Sequence, residues 1–321
     1  MLAQHRLCVA PMMDWTDRHC RYFHRQLNTE AMLYTEMVTT GAVLHGDRER
    51  LLAFDAAEHP VALQLGGSEP EELARAARIA ADYGYDEINL NVGCPSERVQ
   101  KGSFGACLMK EPELVRDCLQ AMREAVCLPV TVKTRIGVDE HDSEAFLHAF
   151  VGTVAESGID VFIIHARKAW LKGLSPKQNR EIPPLNHARV HALKNSFPGL
   201  RFVLNGGLGN ADDARTHLEH VDGLMLGRTA YQDPWSLVEF GHCLGQVVAT
   251  SRSEVITTMA EYAARHIANG GRLAHIARHM LGLFHGCPGA KGWRRMLSQN
   301  MHRADAGPDL LLAAMPERMA A

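Results

Sequence analysis

Of the eight cysteines in the chain, Cys94 is set apart by its surroundings. It lies in Asn91-Val92-Gly93-Cys94-Pro95, directly after an apolar run, where glycine and proline hold a loop that presents the thiol. A cysteine thiol with an ordinary pKa of about 8.5 is mostly protonated at neutral pH, so without an activating partner it serves better as a proton donor than as a nucleophile. No histidine neighbours it in sequence to favour a thiolate, which leaves a spatial partner open. Lys133 ends a second apolar run, and an ammonium there is costly unless it faces a cavity with an anionic or electron-rich partner. That reads as a ligand contact. His165 ends a third run, Val161-Phe162-Ile163-Ile164-His165, and Arg167 and Lys168 follow at once. This favours an exposed rim over the alternative of a satisfied core histidine.

Glycines carry the next signal. Asn205-Gly206-Gly207-Leu208-Gly209 and Gly227-Arg228 both follow apolar runs and would turn backbone N–H groups toward a phosphate, the second beside a cation. Neither is a dinucleotide fingerprint, because G-x-G-x-x-G does not occur, and a mere tight turn is the plainer reading of Gly206-Gly207 alone. Two histidine pairs at helical spacing, His187 with His191 and His275 with His279, lack the glutamate of H-E-x-x-H and any cysteine or carboxylate cluster beside them. They read as surface-helix residues, and no metal is expected.

The elements that must position these groups are eight short apolar runs: Leu7 to Ala10, Met32 to Tyr34, Val61 to Leu65, Glu87 to Asn91, Val130 to Lys133, Val161 to His165, Arg201 to Leu204 and Gly223 to Leu226. Helical patterns fill most of the gaps, among them Glu71 to Asp82, Glu113 to Ala125, Ser143 to Glu156 and Ala211 to Glu219. Strand and helix alternating eight times predict an α/β fold, a (β/α)8 TIM barrel, since parallel strands need long crossovers. Each run ends in polar chemistry: Pro11-Met12-Met13, Thr35-Glu36, Gln64, Asn91 to Cys94, Lys133 to Arg135, His165 to Arg167, Asn205-Gly206-Gly207 and Gly227-Arg228. In a barrel those ends share one rim around one mouth, which is where barrel active sites lie.

The 321 residues exceed a barrel of roughly 250 residues by an appendage. From about residue 241 the pattern is helical only: Ser236 to Thr250, Glu254 to Ala268, Leu273 to Leu283 and Gly292 to Met301, joined at 269–271 and 286–289. A barrel domain over 1–240 and a small C-terminal helical bundle domain over 241–321 are expected. Apolar residues at 46% and charged residues at 22% exclude a disordered or fibrous chain. No apolar run is long enough for a membrane span or a signal-peptide core, so a cytoplasmic protein is expected. The net charge of −3 speaks against nucleic acid at first, yet residues 251–321 carry nine Lys plus Arg against five acids, so +4 sits there and −7 in the rest. Lys291, Arg294 and Arg295 flank Trp293 in a cationic and aromatic run suited to RNA phosphates, with a solvated helix face as the bland alternative.

Seven pieces in order, APMMDWTD (10–17), QLGG (64–67), NLNVGCPSERVQKGSFGACLM (89–109), VKTRIG (132–137), HAR (165–167), NGG (205–207) and MLGR (225–228), resemble the tRNA-dihydrouridine synthases over about residues 7 to 235. The insert 168–185 is similar to that of the A subfamily, which acts on uridines 20 and 20a of the tRNA D-loop. The resemblance implies FMN across the barrel mouth, NADPH as its reductant, hydride delivery to C6 of a flipped uracil and protonation of C5 by a cysteine. Carried over by motif, Cys94 is the catalytic proton donor, and Pro11, Met12, Met13 and Gln64 line the isoalloxazine. Lys133 sits by its N1/O2 edge and His165 by the ribityl or phosphate region, with Asn205, Gly206, Gly207, Gly227 and Arg228 around the phosphate. Asn91 contacts the uracil, with Arg135 and Arg167 as neighbours; as a turn residue it could instead bond its own backbone. Lys172, Lys177 and Arg180 in the insert extend the basic path of Lys291, Arg294 and Arg295 toward the mouth, and a monomer is expected. Two other classes fit parts of the pattern: a dihydroorotate-dehydrogenase-like FMN barrel acting on a small molecule, which leaves the basic tail without a purpose, and a non-catalytic tRNA-binding protein, which leaves Cys94 and Lys133 without one.

Overall fold

Every apolar run becomes a strand, and the eight strands close on themselves in sequence order, all parallel. They are β1 (Leu7–Val9), β2 (Met32–Thr39), β3 (Val61–Gly66), β4 (Glu87–Asn91), β5 (Val130–Arg135), β6 (Val161–His165), β7 (Arg201–Asn205) and β8 (Gly223–Leu226). This is a computed structural model that describes residues 5–248 and 250–316. Glu317 and Arg318 of the C-terminal charge count lie outside the described residues. The barrel is the (β/α)8 fold expected. β2 runs five residues past its expected end at Tyr34, through a register irregularity between Tyr34 and Met37 that its mixed polar sequence did not announce.

Strand alternation decides which residues meet. Ile88 and Leu90 of β4, Val132 of β5, Phe162 and Ile164 of β6, and Phe202 and Leu204 of β7 face the helices in the outer core. The residues between them therefore point into the barrel. Low in the barrel these include Met32, Tyr34, Ala62, Val161, Ile163, Val203 and Met225. By the same period of two, Gln64, Asn91, Lys133, His165 and Asn205 come inward at the top.

A buried polar column threads this interior. Glu87 Oε1 accepts from Tyr34 at 2.7 Å and Thr131 at 2.6 Å, while His5 Nε2 lies 2.5 Å from Oε2. Above it Asn89 donates to Thr131 at 2.9 Å, Gln64 donates to Asn89 at 2.8 Å, and Asn91 donates to Gln64 at 2.8 Å. Each buried amide thus has partners, as a low-dielectric interior requires.

The helix Ser236–Cys243 is shorter than the expected Ser236 to Thr250. Gly245 adopts φ +77, and the N–H groups of Gly245 and Gln246 cap the carbonyls of His242 and Gly241, which ends the helix. The helices Arg252–Ala268, Leu273–Met280 and Ala290–Asn300 follow, the first opened by a capping box of Ser251 and Glu254. Val255, Met259, Ile276, Met280, Trp293 and Leu297 bury their side chains in the same continuous cluster as the outer barrel core. No helix among the described residues is long and apolar enough to cross a membrane.

Candidate active site

A cavity of about 770 Å³ opens at the C-terminal ends of the strands. Cys94, all eleven residues expected at the cofactor, and Asn91, Arg135, Arg167 and Arg180 line it. Lys177, Lys291, Arg294 and Arg295 are exposed and do not.

Cys94 is held by its own turn. Asn91 Oδ1 accepts from the N–H groups of Gly93 at 3.1 Å and Cys94 at 2.9 Å, while Asn91 Nδ2 donates to Gln64. Asn91 therefore acts first as the bracket that shapes the thiol loop, the plainer of its two readings, and keeps only one N–H for a ligand. Arg135 is likewise committed: its guanidinium donates to the carbonyls of Gly93 at 2.8 Å, Lys168 at 3.1 Å and Asn179 at 3.1 Å. It clamps the Cys94 loop to the 168–185 insert. Burial pulls it down to about 10, which leaves it cationic at neutral pH.

Lys133 is half-buried in the cavity wall and donates to Asn205 Oδ1 at 2.9 Å. Burial, then the nearby Arg135 charge, pulls its ammonium down to about 7 against a weaker opposing effect of Cys94. Beside it, burial and then the charges of Arg135 and Lys133 push His165 well below the usual range, so its imidazole is neutral. His165 Nδ1 is buried without a partner among the described residues. The next turn needs its glycines: Gly206 at φ +103 and Gly207 at φ +77 lie in the left-handed region, and a Cβ there would meet His165 Nε2 at 3.0 Å or Leu185 at 2.5 Å.

Arg228 does not stand alone as a phosphate cation, because Glu181 of the insert pairs with it at 2.6 Å. Arg167 donates to the Pro183 carbonyl. Three arginines on the rim thus staple the insert over one side of the mouth. Trp293, paired with cations in the sequence, is buried and donates to the Met280 carbonyl at 3.0 Å, so no aromatic face accompanies Arg294 and Arg295. Its helix periodicity, with Leu297 one turn on, was the available signal of a core residue. Missed altogether were Trp15, which stacks on Tyr231 at 4.2 Å, and Met37, which enters the cavity from the unexpected extension of β2.

A closed parallel barrel whose rim gathers a thiol, a half-buried lysine, a neutral histidine and glycine turns around one cavity defines a barrel enzyme with a built ligand site. Comparison with known proteins gives its kind. The family profile of dihydrouridine synthases matches residues 8–319. The chain is 58% identical over 308 residues to the tRNA-dihydrouridine(20/20a) synthase of Shewanella oneidensis, covering 95% of this chain and 92% of that one. It is 56% identical to the protein of that name from Vibrio cholerae, covering 97% and 95%. The chain belongs to the dihydrouridine synthase family, a family of flavin-dependent oxidoreductases. Among solved structures a 2-naphthoyl-CoA reductase complex aligns with a TM-score of 0.57 at 11% identity over 77% of this chain. This chain spans only 51% of that reductase, and the likeness concerns the barrel fold alone.

Proposed function

We propose that this chain reduces uridine to dihydrouridine at positions 20 and 20a of tRNA, with FMN as cofactor and NADPH as reductant. The observation that carries the reading is the convergence of Cys94, Gln64, Lys133, His165, Asn205 and Gly206, from five different strand ends, on one cavity. The names and identity of the relatives supply the tRNA substrate and the two positions.

The residues fit FMN. Lys133 holds ammonium donors beyond the one given to Asn205, His165 Nδ1 is a buried atom in want of a partner, and two left-handed glycines clear space for a phosphate beside it. Pro11, Met12, Met13 and Gln64 would cover the isoalloxazine, Lys133 its electron-rich edge, and Asn205, Gly206, Gly207, Gly227 and Arg228 the phosphate. When bound, FMN supplies the hydride that a pyrimidine C6 accepts. Lys133 stabilises negative charge beside it. The Cys94 Sγ proton is held at the mouth by the turn that Asn91 and Arg135 fix, for delivery to C5. The remaining Asn91 N–H and Arg167 face the base edge, and the exposed basic residues of the insert and of Ala290–Asn300, Lys177, Arg180, Lys291, Arg294 and Arg295, meet tRNA phosphates. In this reading the barrel performs the chemistry and the C-terminal helices present the substrate, in a cytoplasmic monomer.

Purified protein should be yellow or take up FMN stoichiometrically, and tRNA from cells lacking it should lose dihydrouridine at 20 and 20a. Unchanged dihydrouridine in those cells would sink the tRNA reading and return the barrel to small-molecule chemistry.

A further inference from the structure

We propose that His19, His266 and His275 form a binding site for a divalent transition-metal ion of the Zn²⁺ type, which locks the C-terminal helices onto the barrel. Their ligand nitrogens all lie within 4.8 Å of one another. They come from three helices, Arg18–Leu27 of the barrel and Arg252–Ala268 and Leu273–Met280 of the C-terminal part. The sequence spacing of His275 with His279 therefore points to the wrong partner. His279 is buried instead, against Asp17 and Tyr231.

Geometry supports coordination over a simple aromatic cluster. His266 Nε2 and His275 Nδ1 stand 3.0 Å apart, close to the roughly 3.3 Å that separates two ligands bound at about 2.0 Å on a tetrahedral ion. Without an ion that pair must share one proton between two imidazoles. His19 Nδ1 lies 2.8 Å from the Tyr262 hydroxyl, an outer partner that fixes the ring and leaves Nε2 as the ligand atom. Gly271 packs so closely on the His266 ring that a Cβ there would come within 2.1 Å of Nε2, so glycine lets the imidazole lie in this position. His275 is exposed, which leaves the remaining coordination position to water and gives an ion an entry path. Three imidazoles plus water suit Zn²⁺, Ni²⁺ or Cu²⁺ and disfavour Mg²⁺ or Ca²⁺.

The probe is Zn²⁺ alone, titrated calorimetrically into full-length protein stripped with chelator, with Co²⁺ spectra as a second readout of coordination. One equivalent should bind and raise the melting temperature, as a ligand specific to the folded state must. His275→Gln and His266→Gln should each weaken binding by at least the roughly tenfold that loss of even an outer partner costs. His191→Gln, from a separate histidine group with His217, should leave it unchanged. Because His275 is exposed, metal-free His275→Gln should melt like the wild type, so its loss of Zn²⁺ affinity is not a folding defect. Absence of binding at micromolar Zn²⁺, binding that survives His275→Gln, or binding abolished by His191→Gln would each overturn the site.

Discussion

Lys133 of β5 reaches past β6 to Asn205 of β7, donating to its side-chain oxygen at 2.9 Å, and Asn205 is itself anchored by donating to the Met225 carbonyl at 2.8 Å. This aims an ammonium that burial has already drawn down to about 7. Negative charge beside it favours the protonated form, so reduced flavin should hold Lys133 protonated to higher pH than the free protein does. The affinity for reduced FMN should then fall as pH rises above 7, by up to about tenfold per pH unit until the raised value in the complex is passed. Lys133→Met should lower the bound flavin's midpoint potential and flatten this profile. Equal potentials and parallel pH profiles in the two proteins would remove the role.

Cys94→Ala separates the two halves of the reaction. The turn is held by Asn91 and Arg135 through backbone groups of residues 93 and 94, which alanine keeps. FMN binding and NADPH oxidation should therefore survive, while single-turnover reduction of uridine in tRNA falls by about 10²- to 10⁴-fold, the usual worth of a positioned general acid. Rates within a few-fold of the wild type would exclude Cys94 as the donor.

Asn91→Ala should behave differently, because this side chain joins the thiol loop to Gln64 and to the buried column below it. Its loss leaves Gln64 short of a partner and frees the loop. Both flavin affinity and tRNA turnover should drop, with stability lower by about 1–3 kcal/mol in urea unfolding. A variant that lost turnover alone would return Asn91 to a direct uracil contact.

These roles mark how far the sequence could be read. Alternating apolar residues announce which faces of β4 to β7 point outward, and that alone forces Lys133, His165 and Asn205 together at the mouth. Partnership within the site was not legible. Nothing in the spacing of Arg135 shows that its donors go to backbone carbonyls, and Arg228 looked like a phosphate cation because Glu181 stands 47 residues away in the chain. The insert is irregular backbone whose shape depends on such long-range bonds, so no periodicity encoded it. Asp17 passed as part of the first motif, and its bonds to a helix some 260 residues later could not be foreseen.

Asp17 has two jobs that substitutions can divide. It caps the helix Arg18–Leu27 by accepting from the N–H groups of His19 and Cys20 at 3.0 Å, and it pairs with Arg278 at 2.5 Å and His279 at 3.1 Å on a C-terminal helix. Burial raises the carboxyl, yet His279, the Cys20 N–H and Arg278 together hold it well below the usual range. Asp17→Asn keeps the cap and loses the charge, which should cost about 1–2 kcal/mol, and Asp17→Ala should cost about 1 kcal/mol more. A depressed carboxylate contributes stability above its unfolded pKa of about 4 and loses it as pH falls, so the gap between wild type and Asp17→Asn should close below pH 4. A gap that persists in acid would mean packing, not charge, makes the junction.

The contribution of the C-terminal helices to tRNA can be read from salt. Lys291, Arg294 and Arg295 are exposed on one helix while Trp293 between them is buried, so these residues offer tRNA charge without an aromatic face. Phosphate contacts release counterions, and each one lost should reduce the slope of log affinity against log salt by about 0.7 to 0.9. Arg294→Gln with Arg295→Gln should therefore raise KM for tRNA and flatten its salt dependence, with kcat at saturating tRNA and FMN content unchanged because neither residue lines the cavity. Reduction of a free uridine substrate should not respond at all. If the double variant kept both the affinity and the slope, tRNA would have to approach over the insert, and the same experiment on Lys177 and Arg180 would then carry the effect.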